Sequence, residues 1–146
     1  MTSTDKMRSM TSVEAIAPAT LALKWSDGTE AQVDLAASFK AHAFRSLKNA
    51  KEFCRAGLGE WGHCIAWPGG AEIGAQALWL ETLAANGHAD ARSFLEWRLR
   101  HALSLSAAAE ALGLSRRMVA YYSNGEKPVP RSILLACKGW EVGAAA

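Results

Sequence analysis

The chain has 146 residues, 50% of them apolar and 21% charged, and its formal net charge is +2. This length and apolar content suit one or two small globular domains, whereas so small a charge excludes a histone-like protein or one that coats a polyanion. No apolar stretch approaches the ~20 residues of a membrane-spanning helix, and the N-terminal sequence lacks the apolar core of a signal peptide. Three widely spaced cysteines favour a reducing compartment and buried thiols. We therefore expect a cytoplasmic protein.

The first part of the chain has the pattern of a small sheet. Residues 1–11 are polar and terminal, which predicts a frayed tail. Apolar residues then alternate or cluster in three segments, and Asp27-Gly28 between the last two is a hairpin signal. The predicted strands are Val13–Ala17, Leu21–Trp25 and Ala31–Leu35.

Two helices and two shorter strands are predicted to follow. The predicted helices are Leu35–Lys48 and Ala71–Ala85, and the predicted strands are Glu52–Ala56 and Gly62–Trp67. Asn86-Gly87-His88 is expected to end the second helix and to form a linker. The predicted domains are therefore 12–85, an α+β domain with an antiparallel or mixed sheet, and 89–146, which is all helical.

The second domain contains the most informative segment, two short helices joined by a tight turn. Helices are predicted over Ser104–Leu112 and Arg116–Ser123, because apolar residues recur there with helical period. Gly113 can adopt the positive φ that a sharp reversal needs. Ser115 can cap the second helix by accepting a bond from a backbone N–H that has no partner within the helix.

Arginines at the start of the second helix indicate nucleic-acid recognition. Arg116 and Arg117 have forked donors that suit guanine edges and phosphates, and a single helix fits the major groove. The charge distribution agrees, because residues 1–88 have a net charge of −1 and residues 89–146 a net charge of +3. The predicted DNA contacts are Ser115, Arg116, Arg117, Tyr121, Asn124 and Lys127. Arg92, Arg98 and Arg100 are expected on a solvated face, where one or two could reach phosphate.

This segment resembles the helix-turn-helix of the Cro/lambda-repressor-like superfamily, over about residues 91–140. The residues that carry the resemblance are Ala109, Gly113, Leu114-Ser115, Val119, Asn124-Gly125 and Pro128. The resemblance implies an all-helical domain that binds double-stranded DNA. The family usually has glutamine at the start of its first motif helix, where it contacts phosphate. Leu105 stands there in this chain, so that contact is not expected, and Leu105 is predicted to pack instead.

The first part of the chain, over about residues 12–84, resembles the small bacterial domain of unknown function numbered 2442. The residues that carry the resemblance are Leu23-x-Trp25-x-Asp27-Gly28, Val33-Asp34-Leu35, Leu47, Phe53 and Ile65-x-Trp67-Pro68-x-Gly70-Ala71-Glu72. The resemblance implies a small α+β domain that is sometimes fused to a helix-turn-helix. It implies no catalytic residues.

Enzymatic or metal chemistry is not expected. Cys54, His63 and Cys64 lack the paired spacing of a structural zinc site, and the four histidines are scattered with no nucleophile elbow. The glycines at Gly57-x-Gly59 and Gly69-Gly70 do not precede a helix as a phosphate-binding loop does. No cofactor is therefore predicted.

The function predicted from the sequence is a sequence-specific transcriptional regulator, often a repressor, that binds a palindromic operator as a homodimer. Two-fold symmetry doubles the contacts of a small recognition helix. The candidate interface residues are Trp61, Trp79, Trp140 and Ile133-Leu134-Leu135. The alternative is a protein-interaction module, such as an antitoxin or adaptor, whose helical domain binds a protein.

Overall fold

The computed structural model describes residues 8–145, which form two compact units, 8–86 and 87–145. The first is α+β with antiparallel sheets and the second is entirely helical, so the predicted fold class is confirmed. Residues 1–7 of the predicted N-terminal tail lie outside the described residues. Met10 is buried in the first strand, so the prediction of a tail to residue 11 is wrong.

The first unit contains six strands, three short 3-10 helices and two α-helices. The strands are β1 (Met10–Ile16), β2 (Thr20–Trp25), β3 (Glu30–Asp34), β4 (Gly57–Leu58), β5 (Cys64–Ala66) and β6 (Glu72–Gly74). The 3-10 helices are Ala36–Lys40, His42–Lys48 and Glu60–Gly62, and the α-helices are α1 (Ala50–Phe53) and α2 (Ala75–Ala85). They form two antiparallel sheets, ordered β1-β2-β3 and β4-β5-β6.

The predicted alternation sets the register of the first sheet. Leu21 lies opposite Val33 and Leu23 opposite Ala31, and all four side chains are buried. Because successive side chains of a strand point to opposite faces, one face packs inward and the other meets solvent. Trp25 on that inner face donates an N–H bond of 3.1 Å to Thr82 Oγ1 of α2, which ties the sheet to this helix.

The last group of residues that carry the 2442 resemblance, 65–72, forms the turn between β5 and β6. Trp67 N–H donates to the Ala71 carbonyl at 2.9 Å, and Gly70 reverses the chain with a φ of 100°. The Trp67 indole N–H donates to the Phe53 carbonyl at 2.9 Å and its ring stacks on that of Phe53. Each of these residues therefore has a structural role.

The structure differs from the sequence prediction at four elements of this unit. The predicted helix Leu35–Lys48 is two 3-10 helices, because the backbone of Ala41 is extended. The predicted strand Glu52–Ala56 is wrong, since the Asn49 side chain accepts bonds from Lys51 N and Glu52 N and starts a helical turn instead. The strand predicted over 62–67 is limited to β5, and the helix predicted from Ala71 begins at Ala75, after β6.

The second unit consists of four helices. They are α3 (Ala89–Arg100), α4 (Leu105–Leu112), α5 (Arg116–Asn124) and α6 (Arg131–Ala145). One core joins them, built from aromatic and aliphatic side chains of all four, including Phe94, Trp97, Ala108, Val119 and Cys137. The predicted helices over 104–112 and 116–123 match α4 and α5 to within one residue.

Candidate functional site

Two hydrogen-bonded caps and a left-handed glycine form the turn between α4 and α5. Gly113 has φ 69° and ψ 33°, and the following Leu114 N–H donates to the Ala109 carbonyl at 2.9 Å, as in a Schellman termination. The Ser115 hydroxyl then accepts from Met118 N at 3.1 Å and caps α5. No atom lies within 4 Å of a Cβ built on Gly113, so its backbone conformation, not space, requires glycine there.

The first turn of α5 carries two exposed cations. Arg116 and Arg117 are the first two residues of the helix, and no acidic residue accompanies them. The partial positive charge of a helix N-terminus favours anions, so two arginines there oppose the helix dipole. The same arrangement concentrates donors and positive potential, which suits an anion such as phosphate or the acceptor edge of a base.

The six predicted site residues divide between the two ends of α5. Arg117 and Tyr121 are four residues apart and share one face of the helix. Asn124 is the last residue of α5, about 12 Å from Arg116 at ~1.5 Å per residue, so the structure does not bring these two together. Lys127 follows the helix, and its Nζ lies 4.7 Å from the centre of the Tyr121 ring. Ser115 is exposed, but its oxygen already serves as the cap.

The inner side of α5 is fixed by a buried arginine. Arg98 of α3 is only 4% exposed, and its Nη1 donates to Ser123 Oγ at 2.9 Å. Its Nε donates to the Leu103 carbonyl at 3.3 Å. The expectation that Arg98 lies on a solvated face is therefore wrong. Its position four residues after Phe94 on α3 is the signal that places it on the buried face.

Further contacts hold α5 in place. Ser123 Oγ donates to the Val119 carbonyl at 2.7 Å, and the Tyr122 ring packs edge-on against that of Phe94 at 5.5 Å. Beyond α5, the Val129 N–H donates to Asp90 Oδ2 at 2.7 Å. Leu105 is buried, as the sequence predicts. The helix that exposes the arginines is thus attached firmly to α3 on its other side.

The arginines at the two ends of α3 are engaged with carboxylates. Arg92 Nε lies 3.5 Å from Glu96, and Arg100 Nη2 lies 2.9 Å from Glu141 Oε2 on α6. His101 Nε2 is 2.6 Å from the same Glu141 oxygen. The hydrogen bond with His101, assisted by Arg100, lowers the pKa of Glu141 from its ordinary value.

The cysteines differ in exposure. Cys54 is exposed and Cys64 is half-buried, so the prediction of buried thiols is wrong for both. Cys137 is buried, and its burial together with the charge of Glu141 raises the pKa of its thiol to about 11. Within residues 8–145, no three His, Cys, Asp or Glu side chains form a group that could hold a metal ion.

Among the interface candidates, Trp79 is a core residue. It is 2% exposed and its ring meets that of Trp25 edge-on at 5.1 Å. Its proposed place in a subunit interface is therefore wrong. Trp61 is 79% exposed, with a φ of 60°, and Leu135 on α6 is 55% exposed.

None of the helices within the described residues combines the length and the hydropathy that crossing a membrane requires.

The chain is α+β, and a small unit of antiparallel sheets precedes a helical unit. In the helical unit, α5 is capped by Ser115 and has Arg116 and Arg117 in its first turn. The family model described as "Protein of unknown function (DUF2442)" matches residues 10–82, and the chain belongs to this family. This match confirms the resemblance predicted for the first part of the chain.

A solved structure extends the similarity to both units. The crystal structure of "Putative DNA Binding Protein NE0471" from Nitrosomonas europaea ATCC 19718 is 37% identical in sequence and has a TM-score of 0.70. The alignment covers 92% of this chain and 86% of that one. No curated protein matches the chain.

Proposed function

We propose that this chain is a DNA-binding protein whose α4 and α5 form a helix-turn-helix of the Cro/lambda-repressor type, with α5 as the recognition helix. The observation that carries the proposal is the first turn of α5, where Arg116 and Arg117 are exposed on a helix whose other side is buried. Because cations at this position oppose the helix dipole, stability gives no reason for them. An anionic ligand does.

Two further observations support double-stranded DNA as that ligand. The recognition helix is capped at Ser115 and fixed to α3 through Arg98, so its exposed donors are presented without a large ordering cost. The similar Nitrosomonas europaea protein also carries DNA binding in its name. Arg116 and Arg117 would contact base edges or flanking phosphates, and Tyr121 a thymine methyl group or a phosphate. Ser115, Asn124 and Lys127 would contact the DNA backbone.

In full, we propose a cytoplasmic transcriptional regulator that is not an enzyme and that acts as a repressor. It would work as a homodimer and have separate domains at 12–85 and 89–146. A dimer is proposed because one short recognition helix buries little surface, and two-fold symmetry matches an inverted-repeat operator. The exposure of Trp61 and Leu135 supports an apolar contact between subunits.

The test is selection of duplexes from random DNA, followed by binding titrations with the selected sequence. The variant is Arg116→Ala/Arg117→Ala, and the control is Lys24→Ala/Lys138→Ala, which removes the same charge from exposed positions elsewhere. One bidentate arginine–guanine contact contributes ~1–3 kcal/mol, so we expect the Kd of the arginine variant to rise about 5- to 150-fold.

The control should change the Kd much less, and the arginine variant should unfold at or slightly above the wild-type midpoint, because it removes cations that oppose the helix dipole. If no sequence is enriched, or if the arginine variant binds the selected DNA as tightly as the wild type, the proposal is wrong. The helical unit would then be better explained as a protein-binding module of the antitoxin or adaptor kind.

A further inference from the structure

The first unit has a strongly uneven charge distribution, although its net charge is close to zero. Residues 40–55, here called the basic segment, contain five Lys or Arg and one acidic residue, a net charge of +4. The rest of the unit, 8–39 and 56–86, contains two Lys or Arg and seven acidic residues, a net charge of −5. Like charges are therefore collected in one stretch of sequence, although the unit as a whole is nearly neutral.

The 3-10 helix His42–Lys48 arranges part of the basic segment in a row. A 3-10 helix has three residues per turn, so side chains three positions apart lie above one another. His42, Arg45 and Lys48 have this spacing and are all exposed. Phe44 and Leu47 form the parallel row that turns inward, and Leu47 is completely buried. The burial of one row thus fixes the outward direction of the other.

The described residues provide little neutralisation for the cations of this surface. The sole carboxylate of the basic segment, Glu52, lies 3.4 Å from Arg55. In the part of the chain that the structure describes, no carboxylate forms an ion pair with Arg45, Lys48 or Lys51. Lys51 extends the exposed charge onto α1. An external anion would relieve the mutual repulsion among these groups.

We infer that the basic segment is a second DNA-contacting surface, which binds the phosphate backbone of duplex DNA without reading its sequence. The row from His42 to Lys48 spans six residues, about 12 Å at ~2 Å per residue. Successive phosphates of one DNA strand wind around the axis and lie farther apart than their axial rise of about 3.4 Å, so a row of this length can reach more than one phosphate. A linear polyanion therefore fits the row better than an isolated small anion does.

This inference rests on the proposed function for the identity of its ligand, but it concerns a different surface. The family description gives no function for the first unit. The inference assigns to this unit a part of the affinity for DNA. The contribution is electrostatic, since it comes from neutralised phosphates and released counterions, and it must therefore depend on salt. Recognition of sequence remains with α5.

The test measures the affinity of the full chain for a random-sequence 24-bp duplex between about 50 and 200 mM NaCl. The variant is Arg45→Gln/Lys48→Gln/Lys51→Gln. Each lost phosphate contact lowers the slope of log K against log salt by ~0.9. For three contacts we expect the slope to fall by about 2.7. Each contact removed should therefore make the loss of affinity between the two salt concentrations about 3.5-fold smaller.

Single substitutions provide a matched control. Lys48→Gln should lower the slope by about 0.9, whereas Lys24→Gln, which removes an exposed lysine from β2 of the same unit, should leave it nearly unchanged. All these positions are exposed, so the thermal unfolding midpoints should stay the same. Equal slopes for the wild type and the triple variant would overturn the inference.

Comparison with Arg116→Ala/Arg117→Ala separates this inference from the proposed function. If the triple variant lowers the salt slope but the α5 variant does not affect selected DNA, the basic segment binds DNA and the role proposed for α5 is wrong. If the α5 variant alone loses affinity, the inference fails and the proposed function stands. Binding of polyglutamate that the triple variant loses, with the DNA slope unchanged, would indicate an acidic protein partner instead and also overturn the inference.

Discussion

The contact between Arg98 and Ser123 gives the sharpest test of how α5 is held. In Ser123→Ala, the buried Nη1 of Arg98 loses an acceptor at 2.9 Å. A hydrogen bond to a charged group contributes ~1.5–3 kcal/mol. Alanine favours the helix by up to about 0.5 kcal/mol relative to serine, so we expect a net loss of about 1–2.5 kcal/mol in the free energy of unfolding of the second unit.

This loss is large for so small a unit. At ~0.05–0.15 kcal/mol per residue, about 60 residues supply only ~3–9 kcal/mol. Urea unfolding followed by circular dichroism should therefore show a clear decrease in the midpoint for Ser123→Ala. The matched control is Ser106→Ala, which makes the same change at an exposed position of α4. That substitution should change the stability by less than about 0.5 kcal/mol.

A double-mutant cycle assigns the effect to the contact itself. Arg98→Met keeps the aliphatic volume and removes the guanidinium, so Ser123→Ala should then cost little. We expect a coupling energy of about 1–1.5 kcal/mol between the two positions, within the range for residues in one hydrogen-bond network. Additive effects, with a coupling energy below about 0.3 kcal/mol, would show that the reasoning is wrong.

Two further predictions concern pH and assembly. The pKa of Glu141 is lowered in the folded chain through His101 and Arg100, so the resulting stability is fully present above the ordinary carboxyl pKa of about 4.3 and is lost as the pH falls through the lowered pKa of the folded chain. The wild type should exceed Glu141→Gln in thermal midpoint by more at pH 7 than at pH 3, and an equal difference at both pH values would contradict this. Light scattering at micromolar concentration should give about twice the 15.6 kDa of one chain, and a single-chain mass both free and on a half-site would exclude the dimer.

Some features of this protein follow from the sequence alone because they depend on neighbouring residues. The hairpin at Asp27-Gly28 and the alternation of β2 and β3 are local patterns, and the structure confirms both strands. The caps at Ser115 and Gly113 are equally local, since a hydroxyl or a missing Cβ acts within a few residues. The candidate site could therefore be identified by its position in the sequence, including the exposed pair Arg116 and Arg117.

Other features were decided by tertiary contacts that no local pattern contains. Arg98 is a charged residue, and its burial is compensated by hydrogen bonds that include the contact with Ser123, 25 positions away. Trp79 is buried because the sheet brings Trp25 against it, although a large aromatic side chain also suits an interface. The segment 35–48 has the pattern of one helix, but the extended backbone of Ala41 divides it into two 3-10 helices, which bury Phe39 and Leu47. The exposed row of His42, Arg45 and Lys48 is a consequence of the same packing.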